Sequence, residues 1–119
     1  MNYAEMSDFE INWRAFELLH CGSPDFREGE NGAMVLVSEE YDMKMGEHVT
    51  IEAVRGQFNP CKSWADAGQI IEEQGITIAK SVMSGWHSYD LRCVKKYTDE
   101  NPLRAAMIVF LMMHEANNE

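Results

Sequence analysis

Apolar positions recur at helical spacing soon after the chain begins. Phe9, Trp13 and Phe16 form one row, and Ile11, Ala15, Leu18 and Leu19 a second, so one broad face is apolar. Ser7-Asp8-Phe9-Glu10 has the Ser-x-x-Glu form in which side chains satisfy the free amides of a helix start. The spacing predicts a helix from there to about Cys21-Gly22, ahead of Pro24. Residues 22–32 are rich in Gly, Glu, Asp and Ser and read as a loop. Ala33 to Val37 is a short apolar strand. Ser38 to Glu47 shows no clear period and reads as a connection. Val49 to Arg55 makes a second strand whose alternation breaks at Ala53-Val54. The two strands are predicted to pair antiparallel and half buried.

A second helix is predicted from Ser63, with Trp64, Ala67, Ile70 and Ile71 on one side and Gly75 as its left-handed stop. Ile76 to Val82 alternates as a strand. Ser84-Gly85 marks a hairpin turn, and Trp86 to Val94 reads as a further strand with His87, Tyr89, Leu91 and Cys93 on one face. Lys95 to Glu100 is a polar link. Pro102 sits at the first turn of a last helix, where its missing amide costs nothing. From Ala105 to Met113 that helix is apolar on nearly every side, so it must be covered by the rest of the chain. The order predicts an α+β fold: a small antiparallel sheet of about four strands packed against three helices, as a single domain over residues 1–119.

Composition narrows the function classes. The chain carries 20 acidic and 10 basic side chains, a net charge of -10. Broad nucleic-acid binding needs Lys and Arg to displace counterions, so direct contact with nucleic acid is not expected, nor is an anionic membrane surface. An acidic face for a protein partner fits this balance. The apolar run of the last helix is far short of the ~20 residues of a membrane span. The first residues lack the basic start and apolar run of a signal peptide, and Cys21, Cys61 and Cys93 show no paired spacing, so reduced thiols in a cytosol are expected. No Cys-x-x-Cys or His-x-x-x-His pair is present, and neither a metal nor a cofactor is expected. A surplus of apolar helix faces in a short chain leaves a homodimer open.

The strongest candidate site is the strand-to-helix segment Phe58-Asn59-Pro60-Cys61-Lys62-Ser63-Trp64-Ala65-Asp66. Free amides at a helix start can hold an anion. Phe58 and Trp64 offer flat walls, Cys61 or Lys62 a polar contact, and Asn59, Pro60, Ser63 and Asp66 complete the candidate ligand site. The plainer reading makes Asn59-Pro60 a turn, Ser63 a cap and Trp64 a core residue. Arg92, Lys95, Lys96 and Arg104 form a basic cluster that could take a phosphate-bearing ligand or simply offset nearby acids such as Asp99 and Glu100. A Cys61–His87 nucleophile pair has no local support.

Two of these segments resemble a known family. Phe58-Asn59-Pro60-Cys61, with Ala65-Asp66-Ala67 and Ile70-Ile71 after it, resembles a block of the NinX family of bacteriophage proteins. Asn101-Pro102-Leu103-Arg104-Ala105-Ala106-Met107 resembles that family's closing helix, and Asn2-Tyr3 with Ser7-Asp8-Phe9-Glu10-Ile11-Asn12 its opening. Gly68-Gln69 stands where the family has an aromatic-Pro pair, and Glu39 to Arg55 carries none of the recognisable motifs. The resemblance implies a phage- or prophage-encoded accessory protein in the cytoplasm of the bacterial host, with no assigned activity and no catalytic residue to carry over. The leading expectation is a non-enzymatic protein that binds a host or phage protein. The alternative is a small, anionic, nucleotide-like ligand held at Phe58 to Asp66 with help from Arg92, Lys95 or Arg104. A small enzyme with an unrecognised site is a third.

Overall fold

Local rules decide the helix ends. In α1 (Asp8–His20) the Ser7 hydroxyl accepts from the Glu10 amide at 3.1 Å, and the helix closes on Cys21 in the left-handed region. In α2 (Trp64–Gln74) Ser63 accepts from the Asp66 amide, and Gly75 ends the helix at φ 67°. In α3 (Pro102–Glu115) the Asn101 side chain accepts from the Leu103 and Arg104 amides. All three stand where the sequence places them. The computed structural model describes residues 2–22, 24–44 and 46–115, with backbone alone at 42–44 and 47–49.

The class is α+β as expected, but the strands form two antiparallel sheets of three rather than one of about four. The first holds β1 (Phe26–Glu28), β2 (Met34–Lys44) and β3 (Glu47–Phe58) in that order. β1 lies inside the segment expected to be all loop. It is seated on α1 by Phe26, whose ring is 5.8 Å from that of Phe9 and 6.1 Å from that of Trp13. The second sheet holds β4 (Thr77–Lys80), β5 (Trp86–Tyr89) and β6 (Lys96–Asp99). Here the polar link is corrected to an edge strand. Tyr97 and Asp99 both turn inward, Tyr97 to the core and Asp99 to Arg104, and a strand whose inward row holds one apolar residue shows no apolar period. The long strand expected over Trp86 to Val94 ends at Tyr89. Asp90 stops it by accepting from the Val94 and Lys95 amides, a local bond that competes with a ladder.

The largest correction is Ser38 to Glu47. Apart from Met45, which lies outside the described residues, it is no connection: Ser38 to Lys44 belong to β2 and Glu47 opens β3, paired without a break from Val37↔Val54 to Lys44↔Glu47, with Gly46 at φ 80°. A bulge at Leu36/Val37 explains the broken alternation near Ala53-Val54. β1 covers β2 only from Met34 to Leu36, so the rest of the hairpin projects as a two-stranded arm. The arm gives the molecule extents of 64 × 30 × 25 Å and a radius of gyration of 17.2 Å. A compact chain of this length would have about 13–14 Å.

α3 is the centre of the core. Residues from Leu103 to Leu111, Arg104 excepted, are buried, as its all-round apolar body requires. It packs between α1 on one side and the second sheet on the other, with α2 also against it, while α1 backs the root of the first sheet. The helices therefore stand between the two sheets. Met107 fills this core, whereas Met83 in the β4–β5 turn is exposed. No helix among the described residues is long and apolar enough to cross a membrane.

Candidate functional site

The Phe58–Asp66 segment joins β3 to α2, as predicted, but its polar groups are turned inward. Asn12, fully buried on α1, is the hub. Its amide nitrogen donates to Gly32 O at 2.9 Å and to Asn59 Oδ1 at 2.8 Å, and its oxygen accepts from the Cys61 amide at 3.1 Å. Asn59 donates its side-chain nitrogen to Asn31 O and its backbone amide to Asp66 Oδ2 at 2.9 Å. The Lys62 and Ser63 amides both donate to Asn59 O. Pro60 and Cys61 are buried. Thus Asn59, Pro60, Cys61, Ser63 and Asp66 shape a staple that ties α1, the β1–β2 connection and α2 together.

Arg104 joins the same network from the other side. It contacts Asp8 Oδ1 at 2.6 Å and Asp99 Oδ2 at 3.2 Å, and donates to Met6 O at 2.6 Å and Tyr3 O at 3.2 Å. Burial alone would lower its pKa, yet the hydrogen bond to Asp8 and the charges of Asp8 and Asp99 hold it above the ordinary arginine value. Asn101 closes the ring by donating to Cys61 O at 2.7 Å. Arg104 is therefore parted from the rest of the predicted basic cluster. Arg92 and Lys96 are exposed and Lys95 half-buried on the second sheet and its β5–β6 connection.

Cys61 sits in this dry junction. Burial first, and the nearby Asp8 carboxylate second, push its thiol well above the usual range. Alkylation of the folded protein should therefore label exposed Cys21 and Cys93 and spare Cys61 until denaturant is added, as peptide mass spectrometry would read. A second consequence concerns pH. The folded pKa is raised, so Cys61 contributes its full stability below the unfolded value. Above about pH 8.5 the unfolded chain ionises while the folded one does not, and stability falls by about 1.4 kcal/mol per unit. A Cys61→Ser variant should lose that slope in urea titrations between neutral and alkaline pH.

Trp64 is not core: 60% of it is exposed. Replacing it by Ala should change stability by less than about 1 kcal/mol, against the ~3–5 kcal/mol of a core tryptophan. Urea unfolding distinguishes the two. Beside it, Phe58 and Asp66 border a shallow depression of about 250 Å³ with His20, Gln69 and Glu73. His87 lies on the second sheet, its Nδ1 2.8 Å from Thr98 Oγ1, while Cys61 is tied to Asn12 and Asp8 in the core. No group of three or more His, Cys, Asp or Glu among the described residues could hold a metal ion.

Two further surfaces stand open, the first unforeseen in the sequence and the second foreseen only in part, through His87, Tyr89 and Cys93 on one face. One is the face of the arm on which Val37↔Val54, Glu39↔Glu52 and Tyr41↔Thr50 lie side by side. At its root a groove of about 530 Å³ is lined by the acids Asp25, Glu39 and Glu52, and Arg27 binds Glu52 at 2.8 Å. The other is the outer face of the second sheet, a groove of about 530 Å³ bordered by Ala79, His87, Tyr89, Cys93, Lys96 and Thr98. The unused signal for the first was a polar stretch ending in Met-Gly between two strands, a hairpin turn in disguise.

No curated protein and no solved structure matches the chain. A family model described as "Bacteriophage P22, NinX" matches residues 2–114, which is nearly the whole length. The residues that carry the resemblance, from Asp8 and Asn12 through Asn59 and Cys61 to Asn101 and Arg104, are the ones joined in the buried network. The chain belongs to the bacteriophage P22 NinX family.

Proposed function

We propose that this is a non-enzymatic phage accessory protein that works in the cytoplasm of the bacterial host by binding a host or phage protein through its projecting arm. The observation that carries this reading is the arm's exposure. A two-stranded ribbon is marginal in water by itself, and this one leaves Tyr41, Ile51 and Val54 uncovered. Its acids outnumber its bases, with Glu39, Glu40, Asp42, Glu47 and Glu52 against Lys44 and Arg55. An acidic, partly apolar ribbon fits a protein surface that supplies cations and an apolar seat. The motifs that carry the resemblance are taken up in the frame, and the family match over residues 2–114 also spans the arm that projects from it.

The test places a photo-crosslinking phenylalanine analogue at Tyr41 and, separately, at Trp64, in cells carrying the phage. A discrete crosslinked product is expected from Tyr41 and not from Trp64. Crosslinks from Trp64 alone, or from neither position, would remove the arm from the account.

A further inference from the structure

The basic side chains are distributed unevenly. Arg14, Arg27, Arg55, Lys62 and Arg104 each have an acidic partner. Among the described side chains, the cations left without one are Lys80, Arg92, Lys95 and Lys96, all between β4 and β6. Of the acids beside them two are engaged elsewhere, and Glu100 follows the end of β6 opposite to Lys96. Asp90 accepts from backbone amides and Asp99 binds Arg104. An otherwise acidic molecule thus carries its uncompensated cations around the second sheet, with Lys96 in the groove of the outer face and Arg92 and Lys95 in the adjoining connection, while Lys80 lies over Trp86 on the other face.

Exposed apolar side chains follow the same division. Tyr41, Ile51 and Val54 are on the arm, Val82 and Met83 in the β4–β5 turn, and Leu91 and Val94 in the β5–β6 connection, with Leu91 near Gly75; among the described residues Trp64 stands apart from these. The arm's Glu39 face offers Glu39 and, at its root, Asp25, beside Tyr41 and Val54, with Glu52 held by Arg27. The second sheet offers cations flanked by Leu91 and Val94. Each surface is what the other lacks. The helices lie between the two sheets of one chain, so the pairing is made between molecules.

We propose that the arm's partner is a second copy of this chain, the arm of each protomer lying across the β4–β5–β6 face of the other in a two-fold dimer. This deepens the reading that the arm binds a protein and rests on it. Size decides for reciprocal exchange. An arm of about eight residues per strand presents a face about 26 Å long and 10 Å wide. Two such contacts bury about 1,000 Å² in all, the size of a weak biological interface, and a single one-sided contact half of that. Overall repulsion between two acidic chains does not prevent this. It is screened beyond about 8 Å at physiological ionic strength, whereas the complementary groups meet within that distance. An interface of this size fits a micromolar Kd that weakens with salt.

Sedimentation equilibrium of the full chain at tens of micromolar tests it, with two charge-swap variants built at exposed or half-exposed positions. The arm variant is Asp25→Lys with Glu39→Lys, and the face variant Lys95→Glu with Lys96→Glu. Both should keep the native circular dichroism. The wild type should be dimeric. Each variant alone should dimerise at least tenfold more weakly, because both contacts of its homodimer become repulsive, and an equimolar mixture of the two should recover the dimer, because one contact of the mixed dimer joins the two swapped surfaces and the other the two native ones. A wild-type dimer indifferent to both swaps would place the interface elsewhere and overturn the proposal. Open-ended association would overturn the two-fold closure. A monomer whose Tyr41 crosslinks to a different protein would end the dimer and leave the arm reading standing. A monomer with no crosslink at Tyr41 would end both.

Discussion

Replacing Arg104 by Ala should destabilise the protein by about 3–5 kcal/mol, the range for removing one partner of a buried ion pair. The size follows from what is left behind. Asp8 and Asp99 would face each other without the guanidinium, and the Tyr3 and Met6 carbonyls would lose their donor. The side chain is only 13% exposed, so water replaces little of this. Lysine tests the geometry separately. It keeps the charge, but an ammonium cannot span two carboxylates and two carbonyls as a planar fork can, so Arg104→Lys should recover only part of the loss. Urea unfolding at neutral pH, with the slope compared between variants, reads both. If Arg104→Ala costs less than about 1 kcal/mol, the junction admits water on mutation and the network is not what holds the N-terminal segment to α3.

The elements governed by neighbours in sequence could be read from it. Ser7, Ser63 and Asn101 cap their helices through bonds only two or three residues long, and Gly75 supplies the left-handed stop within its own turn. The burial of α3 followed from an apolar body with no polar side. The arm could not be read in this way. A strand shows alternation when one face is buried, and from Ser38 onward neither face is, so polar and apolar positions mix freely. The candidate site was legible as a strand-to-helix turn, but its chemistry was not. Asn59 and Cys61 are committed to Asn12, far away in the chain, and no local spacing announces that bond. The basic cluster failed for a similar reason. Arg92, Lys95 and Lys96 stay on the sheet, while the start of α3 carries Arg104 into contact with Asp8.

Asn12 offers the sharpest test of whether the buried network, and not apolar packing alone, fixes how α1 meets the loop after β3. Asn12→Ala should cost about 3–5 kcal/mol. It strands the Cys61 amide in a buried site, worth ~1–3 kcal/mol when unpaired, takes the donor from the half-buried Gly32 carbonyl and Asn59 Oδ1, and leaves a cavity in the core; these terms overlap because the groups share one hub. Asn12→Leu separates the two contributions. Leucine refills most of the volume and restores none of the bonds. If hydrogen bonding dominates, Leu should be about as damaging as Ala; if packing dominates, Leu should recover most of the stability. Asn12→Asp adds a third outcome, since a carboxylate can still accept from the Cys61 amide but faces the Gly32 carbonyl and Asn59 Oδ1 as acceptor against acceptor. It should fall at least as low as Ala near neutral pH and improve as acid protonates the new carboxyl. A set in which all three variants stay within about 1 kcal/mol of the parent in urea would mean that the turn around Cys61 holds its shape without Asn12, and the frame that presents the arm would have to be sought in the apolar contacts of α3.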